Sequence, residues 1–377
     1  MNRTLILLFV CFFLDYAFGQ TKELEDSITS LMNKYEAIGV SVAVVKENKI
    51  VYTHAFGYKD FENSIPLHTD DLFRIASVSK TLTATAIMQL VEKGKLSLDD
   101  DINSYLSFNV HNPKFPEATI TIKMLMCHRS SLNDSQGYKS FDKIVSATSG
   151  LSSKCFGDYE PGSKFVYCNL NYNLLGAIIE NISGKRFDKY IRQNILKPLK
   201  LHGSFSVLDL DTSRFVKAYW YNKQNNTLSL SKDTYLSHKV KLDNYKLGFT
   251  TPYLSPAGGL KISVAELARY MIMHMNDGVL NKKRILSSES EFIMRQAPAL
   301  NHEYALSFLH YKSIIPGEEL IGQTGGAHGI HTAMIFHPEK EYGFVTFCNG
   351  CKSKSTNGQE LNFEIIKYLY KRLIISN

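Results

Sequence analysis

Strand-type patterning sits at the two ends of this chain and is sparse between them, and that separation restricts the folds open to it more than any other feature. Residues 39–58 alternate apolar and polar side chains, with Val40, Val42 and Val44 followed by Ile50 and Tyr52, around the turn residues Glu47, Asn48 and Lys49. This is the pattern of an antiparallel hairpin. Far along the chain, 304–311, 333–337 and 342–348 are short, aromatic and β-branched, again strand-like. Helical spacing predicts helices over 23–35, 77–93, 122–127, 172–182, 187–195, 264–275 and 362–374, with Gly94 as a C-terminal stop for the second. The expectation is an α/β fold of the α+β type: an antiparallel sheet built from both termini and flanked by helices, with a mainly helical lobe inserted beside it.

Composition adds limits. Of 377 residues, 44% are hydrophobic and 21% charged, an ordinary globular balance with ample length for a buried core. The N-terminus reads as an export signal: Asn2 and Arg3, an apolar run over 5–14, and the small-x-small Ala17-Phe18-Gly19. The expected layout is a signal peptide over 1–19 and one catalytic domain over 20–377, with a sheet lobe at about 20–82 and 248–377 and a helical lobe at about 83–247. The mature chain is thus expected to be exported, periplasmic or secreted. No later apolar run reaches the roughly 18 residues that a membrane-spanning helix needs. The net charge of +7 is spread out, with no basic block longer than Lys282-Lys283-Arg284, which argues against nucleic acid as a partner.

Cys127, Cys155, Cys168, Cys348 and Cys351 remain after cleavage, an odd count that implies a free thiol in an oxidising compartment. Cys348 and Cys351 form a C-x-x-C that could be a disulfide, a redox pair or half a metal site. No second C-x-x-C and no H-x-x-x-H helix accompanies it, so no metal and no cofactor is expected. Cys127 and Cys168, in apolar surroundings, read as small core residues.

Three motifs carry chemistry. In Phe73-Arg74-Ile75-Ala76-Ser77-Val78-Ser79-Lys80, serine precedes lysine by three residues at the opening of an apolar helix, so both side chains share one face. Burial would lower the lysine pKa and let Lys80 act as base toward Ser77. Ser140-Phe141-Asp142-Lys143 and Ser229-Leu230-Ser231-Lys232 match the same spacing but lie in polar stretches. Second, Tyr167-Cys168-Asn169 precedes a helix; a phenol beside an ammonium has its pKa pulled down and can shuttle protons, and Asn169 could bond the lysine and a substrate amide. Third, the glycine-rich Gly322-Gln323-Thr324-Gly325-Gly326-Ala327-His328-Gly329 suggests a bulge or close backbone approach by a ligand, or a plain turn. The absence of Gly-Lys-Ser/Thr rules out a phosphate loop.

In this order and at these separations the motifs resemble the serine β-lactamase and penicillin-binding-protein superfamily, most closely the class C β-lactamase, D,D-carboxypeptidase and esterase branch. Residues 125–132 (Leu-Met-Cys-His-Arg-Ser-Ser-Leu), 171–176 and Ser255-Pro256-Ala257-Gly258-Gly259-Leu260 resemble further blocks of that family. The resemblance implies that Ser77 is an acylated nucleophile, Lys80 its base and Tyr167 the proton shuttle. It also implies that Asn169, Gln323, Thr324, Gly325 and Gly326 bind substrate, and that the Ser77 and Gly326 N–H groups form an oxyanion hole. The implied partner is a small-molecule or peptide substrate, cell-wall fragments among them, hydrolysed at an ester, amide or D-amino-acid peptide bond. Two departures stand out. Gln323 replaces the usual Lys or His before Thr-Gly, which disfavours β-lactam hydrolysis, and His328 follows the glycines, either as a loop histidine with no catalytic role or as a source of positive charge at low pH. A catalytically silent binding or scaffolding protein of the same fold is the alternative.

Overall fold

The computed structural model describes residues 22–145, 151–235, 242–296, 304–353 and 358–375; the expected signal segment lies outside them. Strands β1 (Gly39–Lys46), β2 (Lys49–Asp60), β3 (Ile65–Pro66), β4 (Leu309–Tyr311), β5 (Leu320–Ala327), β6 (Ile330–His337) and β7 (Tyr342–Cys348) form a seven-stranded sheet of order β4-β5-β6-β7-β1-β2-β3. The two chain ends meet at its centre, where β1 pairs antiparallel with β7 and Val42 lies opposite Thr346. The hairpin between β1 and β2 turns through Glu47 and Asn48 at φ 53 and 57, a two-residue turn whose twist matches the flanking strands.

Side-chain alternation divides the sheet between two cores. Val40, Val42 and Val44 pack with Leu24 and Ile28 of the helix α1 (22–34) and with Leu361 and Ile365 of the C-terminal helix Glu360–Leu369. Ala43 and Val45 point the other way, into a larger core with Leu82 and Ala86 of α2 (Ser79–Glu92), Leu174 and Ile178 of α3 (Asn169–Ser183), and Leu267 and Met271 of α4 (Val264–Met275). Among the described residues no helix is long and apolar enough to cross a membrane.

Several elements differ from the sequence-based expectation for identifiable reasons. The 304–311 strand survives only as β4, because Ser307 takes φ 83 and breaks the extended path. The glycine-rich stretch is itself a strand, β5, paired on both sides, and its turn is confined to His328 and Gly329 at φ 57 and 87. Helix α3 begins at Asn169, before the expected 172, for a reason found in the site below. The 187–195 helix loosens after Ile191 into a π turn over Arg192–Leu196. The cysteines Cys127, Cys155, Cys168, Cys348 and Cys351 are all buried free thiols.

Gly176 on α3 faces the Ser255–Leu260 loop so closely that a Cβ would lie 2.3 Å from Pro256 Cγ. Alanine is the better helix former by about 1 kcal/mol, yet this contact cannot yield, since the proline ring is rigid. Gly176→Ala should therefore destabilise the protein by about 1–3 kcal/mol, read as a lower urea midpoint; an unchanged or raised midpoint would refute the close packing of this loop on α3.

Candidate active site

Ser77 lies in a 3-10 turn, Ala76–Val78, that leads into α2. Ala76 adopts the left-handed region at φ 47, turning the chain sharply into the helix. One helical step on, Lys80 is fully buried. Its Nζ lies 3.2 Å from Ser77 Oγ, 2.8 Å from Asn169 Oδ1 and 2.7 Å from the Ala257 carbonyl. Desolvation lowers its pKa to about 7, against an opposing pull from Asp134. A neutral amine has two N–H donors and one lone pair. With Asn169 and Ala257 taking the two shorter bonds, the lone pair is left for the Ser77 hydroxyl proton.

Tyr167 packs against His128 at a tilt of 37° with ring centroids 4.3 Å apart, and Lys80 Nζ lies 4.9 Å from the Tyr167 ring centre. The expected downward shift of this phenol does not occur: desolvation pushes its pKa up, partly offset by a hydrogen bond to Ser77. Tyr167 is therefore a protonated hydrogen-bond donor at neutral pH. His128 is buried, and desolvation together with the nearby Lys80 holds it well below the usual imidazole range. It is a neutral packing surface, its Nδ1 accepting the Cys168 N–H at 3.2 Å.

Asp134, which the sequence reading passed over, organises this corner. Its carboxylate accepts the backbone N–H groups of Asn169 at 2.9 Å and Leu170 at 3.1 Å, and the Asn169 side-chain N–H at 2.9 Å. It caps α3 from 35 residues away in sequence, which is why the helix starts at Asn169. It also turns the Asn169 amide so that Oδ1 faces Lys80. The local signal is the polar run Asn133-Asp134-Ser135 after Leu132; the preceding Ser131 is turned away from the site, its Oγ accepting from Asn112 Nδ2 at 3.1 Å.

Strand β5 closes the other side. A Cβ on Gly325 would sit 2.5 Å from the Ile75 carbonyl and 3.0 Å from the Ser77 nitrogen, so only glycine lets the strand approach the turn that holds Ser77. Thr332 Oγ donates to the same Ile75 carbonyl at 2.8 Å, and Gln359 Nε2 holds the Gly325 carbonyl at 2.9 Å. Gly326 is exposed and Thr324 half-buried, its Oγ bonded by Tyr311 at 3.3 Å. Gln323 is different: it is buried, and its amide donates to Tyr304 Oη at 2.7 Å and to the Ser307 carbonyl at 3.3 Å. It is committed to the protein, behind the Tyr167 and Tyr304 rings, whose centroids are 6.3 Å apart. His328 occupies the β5–β6 turn, where burial, Arg74 and Lys139 lower its pKa to about 4. It is neutral above that pH. Neither competing Ser-x-x-Lys fits the chemistry: Ser229 lies on a strand, Thr227–Leu230, and Ser140 bonds the Asp142 carboxylate at 2.5 Å.

The Beta-lactamase family profile matches residues 24–362. Protein flp of Staphylococcus aureus (strain MRSA252) is 25% identical over 342 residues, covering 87% of this chain and 62% of the relative; the chain thus spans about six-tenths of the length of that relative. Among solved structures, the octameric penicillin-binding protein homologue from Pyrococcus abyssi is similar at TM-score 0.71 and 25% identity, over 93% of this chain and 79% of that one. D-amino acid amidase from Ochrobactrum anthropi SV3 shares the fold at TM-score 0.70 and 20% identity, over 93% and 98% of the two chains.

The Asp134 geometry has two measurable consequences. Asp134→Ala should cost about 1–2 kcal/mol of stability through the lost cap. Because Asp134 raises the lysine pKa, the substitution should also move the Lys80 titration, followed by nitrogen NMR at Nζ, to lower pH. A shift upward, or none, would remove Asp134 from the site.

Proposed function

The chain belongs to the β-lactamase family, and on that premise we propose that it is an exported serine hydrolase acting through an acyl-enzyme on Ser77. The observation that carries this reading is the buried Lys80 amine, 3.2 Å from Ser77 Oγ and titrating near 7. In this mechanism neutral Lys80 takes the Ser77 proton as Oγ attacks the substrate carbonyl. The oxyanion is received by the N–H groups of Ser77 and Gly326, donors typically worth a hundred- to a thousand-fold in rate. Tyr167 gives its proton to the leaving group and recovers one from the Lys80 ammonium. Water then attacks the ester carbonyl, its proton passing to Lys80 and from the resulting ammonium to the departing Ser77 Oγ, so that the acid product leaves and both the serine and the neutral amine are restored. Asn169 holds Lys80 and contacts substrate, and Thr324, Gly325 and Gly326 line the bound acyl group.

Gln323 bears on substrate choice. A β-lactam carries its carboxylate on the amine side of the scissile bond, where a cation before Thr-Gly would meet it. Here that position holds a neutral amide already bonded to Tyr304, which favours esters, amides or D-amino-acid peptides that are neutral on the leaving side. The segment 1–19 acts as the export signal, and 20–377 works as one catalytic unit, since Ser77 and Gly326 come from opposite ends of the chain.

Intact-mass analysis after exposure to a chromogenic ester, a fluorescent penicillin and a D-Ala-D-Ala peptide tests the reading. An adduct on the wild type, absent from Ser77→Ala, is expected, with turnover at least a thousand-fold lower in the variant. No adduct from any of them would leave a silent binding protein. Turnover should rise with pH through about 7, as Lys80 loses its proton, and a profile flat from pH 5 to 9 would exclude Lys80 as the base.

A further inference from the structure

Next to the turn carrying Ser77 lies a cavity of about 610 Å³ that the chemistry above does not use; it meets the site at Gly326. Two cations stand in its wall, Arg74 and Lys261, directly opposite each other on paired short strands. Like charges placed opposite across strands repel, and burial raises the cost. Lys261 is 6% exposed. Burial and the neighbouring Arg74 lower its pKa to about 7, and burial lowers that of Arg74 as well.

No internal counter-ion neutralises the pair. Lys261 Nζ donates to the Phe205 carbonyl at 2.7 Å, and Arg74 Nε to the Gly258 carbonyl at 3.0 Å. Among the described residues neither makes an ion pair, and the outer nitrogens of Arg74 make no hydrogen bond. The other charged or titratable groups near the pair do not change this balance. Lys139 and Asp233 are exposed at the rim, His328 is neutral above about pH 4, and Asp188 is held by Arg186 at 2.7 Å.

We infer that this cavity is a carboxylate-binding subsite that receives the acyl portion of the substrate, read by the Arg74 fork and the Lys261 ammonium. A guanidinium edge with two free N–H directions matches a planar carboxylate. The direction follows from the proposed mechanism, on which the inference rests. The leaving group must lie at Tyr167, which takes no part in the cavity wall, whereas Gly326, beside the carbonyl oxygen, does. The substrate class is therefore an ester or amide whose acyl chain ends in a carboxylate and whose leaving side is neutral.

Trp220, the single tryptophan of the chain, lines the cavity and is 55% exposed, so its fluorescence reports occupancy without turnover. In Ser77→Ala, glutarate should give a saturable change and its neutral diamide none; adding Lys261→Met should weaken binding at least tenfold. Should Lys261→Met fail to fold, Lys139→Glu at the exposed rim should weaken it about threefold. In the active protein, kcat/KM for p-nitrophenyl hydrogen glutarate should exceed that for p-nitrophenyl valerate at least tenfold. Equal response to glutarate and its diamide, binding indifferent to both substitutions, or inorganic phosphate binding as well as glutarate would overturn the subsite. Glutarate binding in a wild type that turns over neither ester would support the subsite while refuting the hydrolase reading.

Discussion

The buried amine of Lys80 is the interaction on which the arrangement of this protein depends. Its contacts at Ser77, Asn169 and Ala257 belong to the turn before α2, the start of α3 and the loop before α4. Burying an ammonium costs several kcal/mol unless its hydrogen bonds are complete, so these segments must converge on one point. Secondary contacts hold them there: Thr83 Oγ donates to the Pro256 carbonyl at 2.9 Å, and the Leu260 N–H to Ser79 Oγ at 3.1 Å. The remaining cost appears as the lowered pKa, so the structural burden of burial is also what suits Lys80 to the proposed role of base.

The surroundings of Tyr167 are mostly uncharged. His128, Tyr172 and Tyr304 cluster beside it, with His128 centroids 5.3 Å from Tyr172 and 4.9 Å from Tyr304, and Gln323 completes the cluster through Tyr304. A lysine at 323 would put a second cation within this cluster and depress both Tyr167 and Lys80. The neutral glutamine adds no such charge. Arg74 and Lys261 stand instead on the cavity side of Ser77, so on the proposed reading electrostatic selection of substrate acts on the acyl side.

Much of the fold was legible because it rests on local periodicity. Val40, Val42 and Val44 announced β1, and the spacing of Leu267, Met271 and their neighbours marked α4 to the residue. Ser77 and Lys80 could be paired in advance because a helix places residues three apart on one face. What escaped was decided by distant partners. The start of α3 depends on a carboxylate from another loop, the glycines of β5 hid a strand that only its neighbours stabilise, and the left-handed Ser307 broke the 304–311 pattern.

By itself, then, the amino-acid sequence determined most of the elements, the meeting of the two termini in one sheet, the family resemblance and Ser77, Lys80, Tyr167 and Asn169 as the candidate group. Only the tertiary structure decided their electrical state. A pKa is set by solvent exclusion and by charges within a few ångströms: burial lowers Lys80 and silences His328, desolvation of the phenol raises Tyr167, and strand pairing sets Arg74 against Lys261. None of those distances is written in the order of residues along the chain.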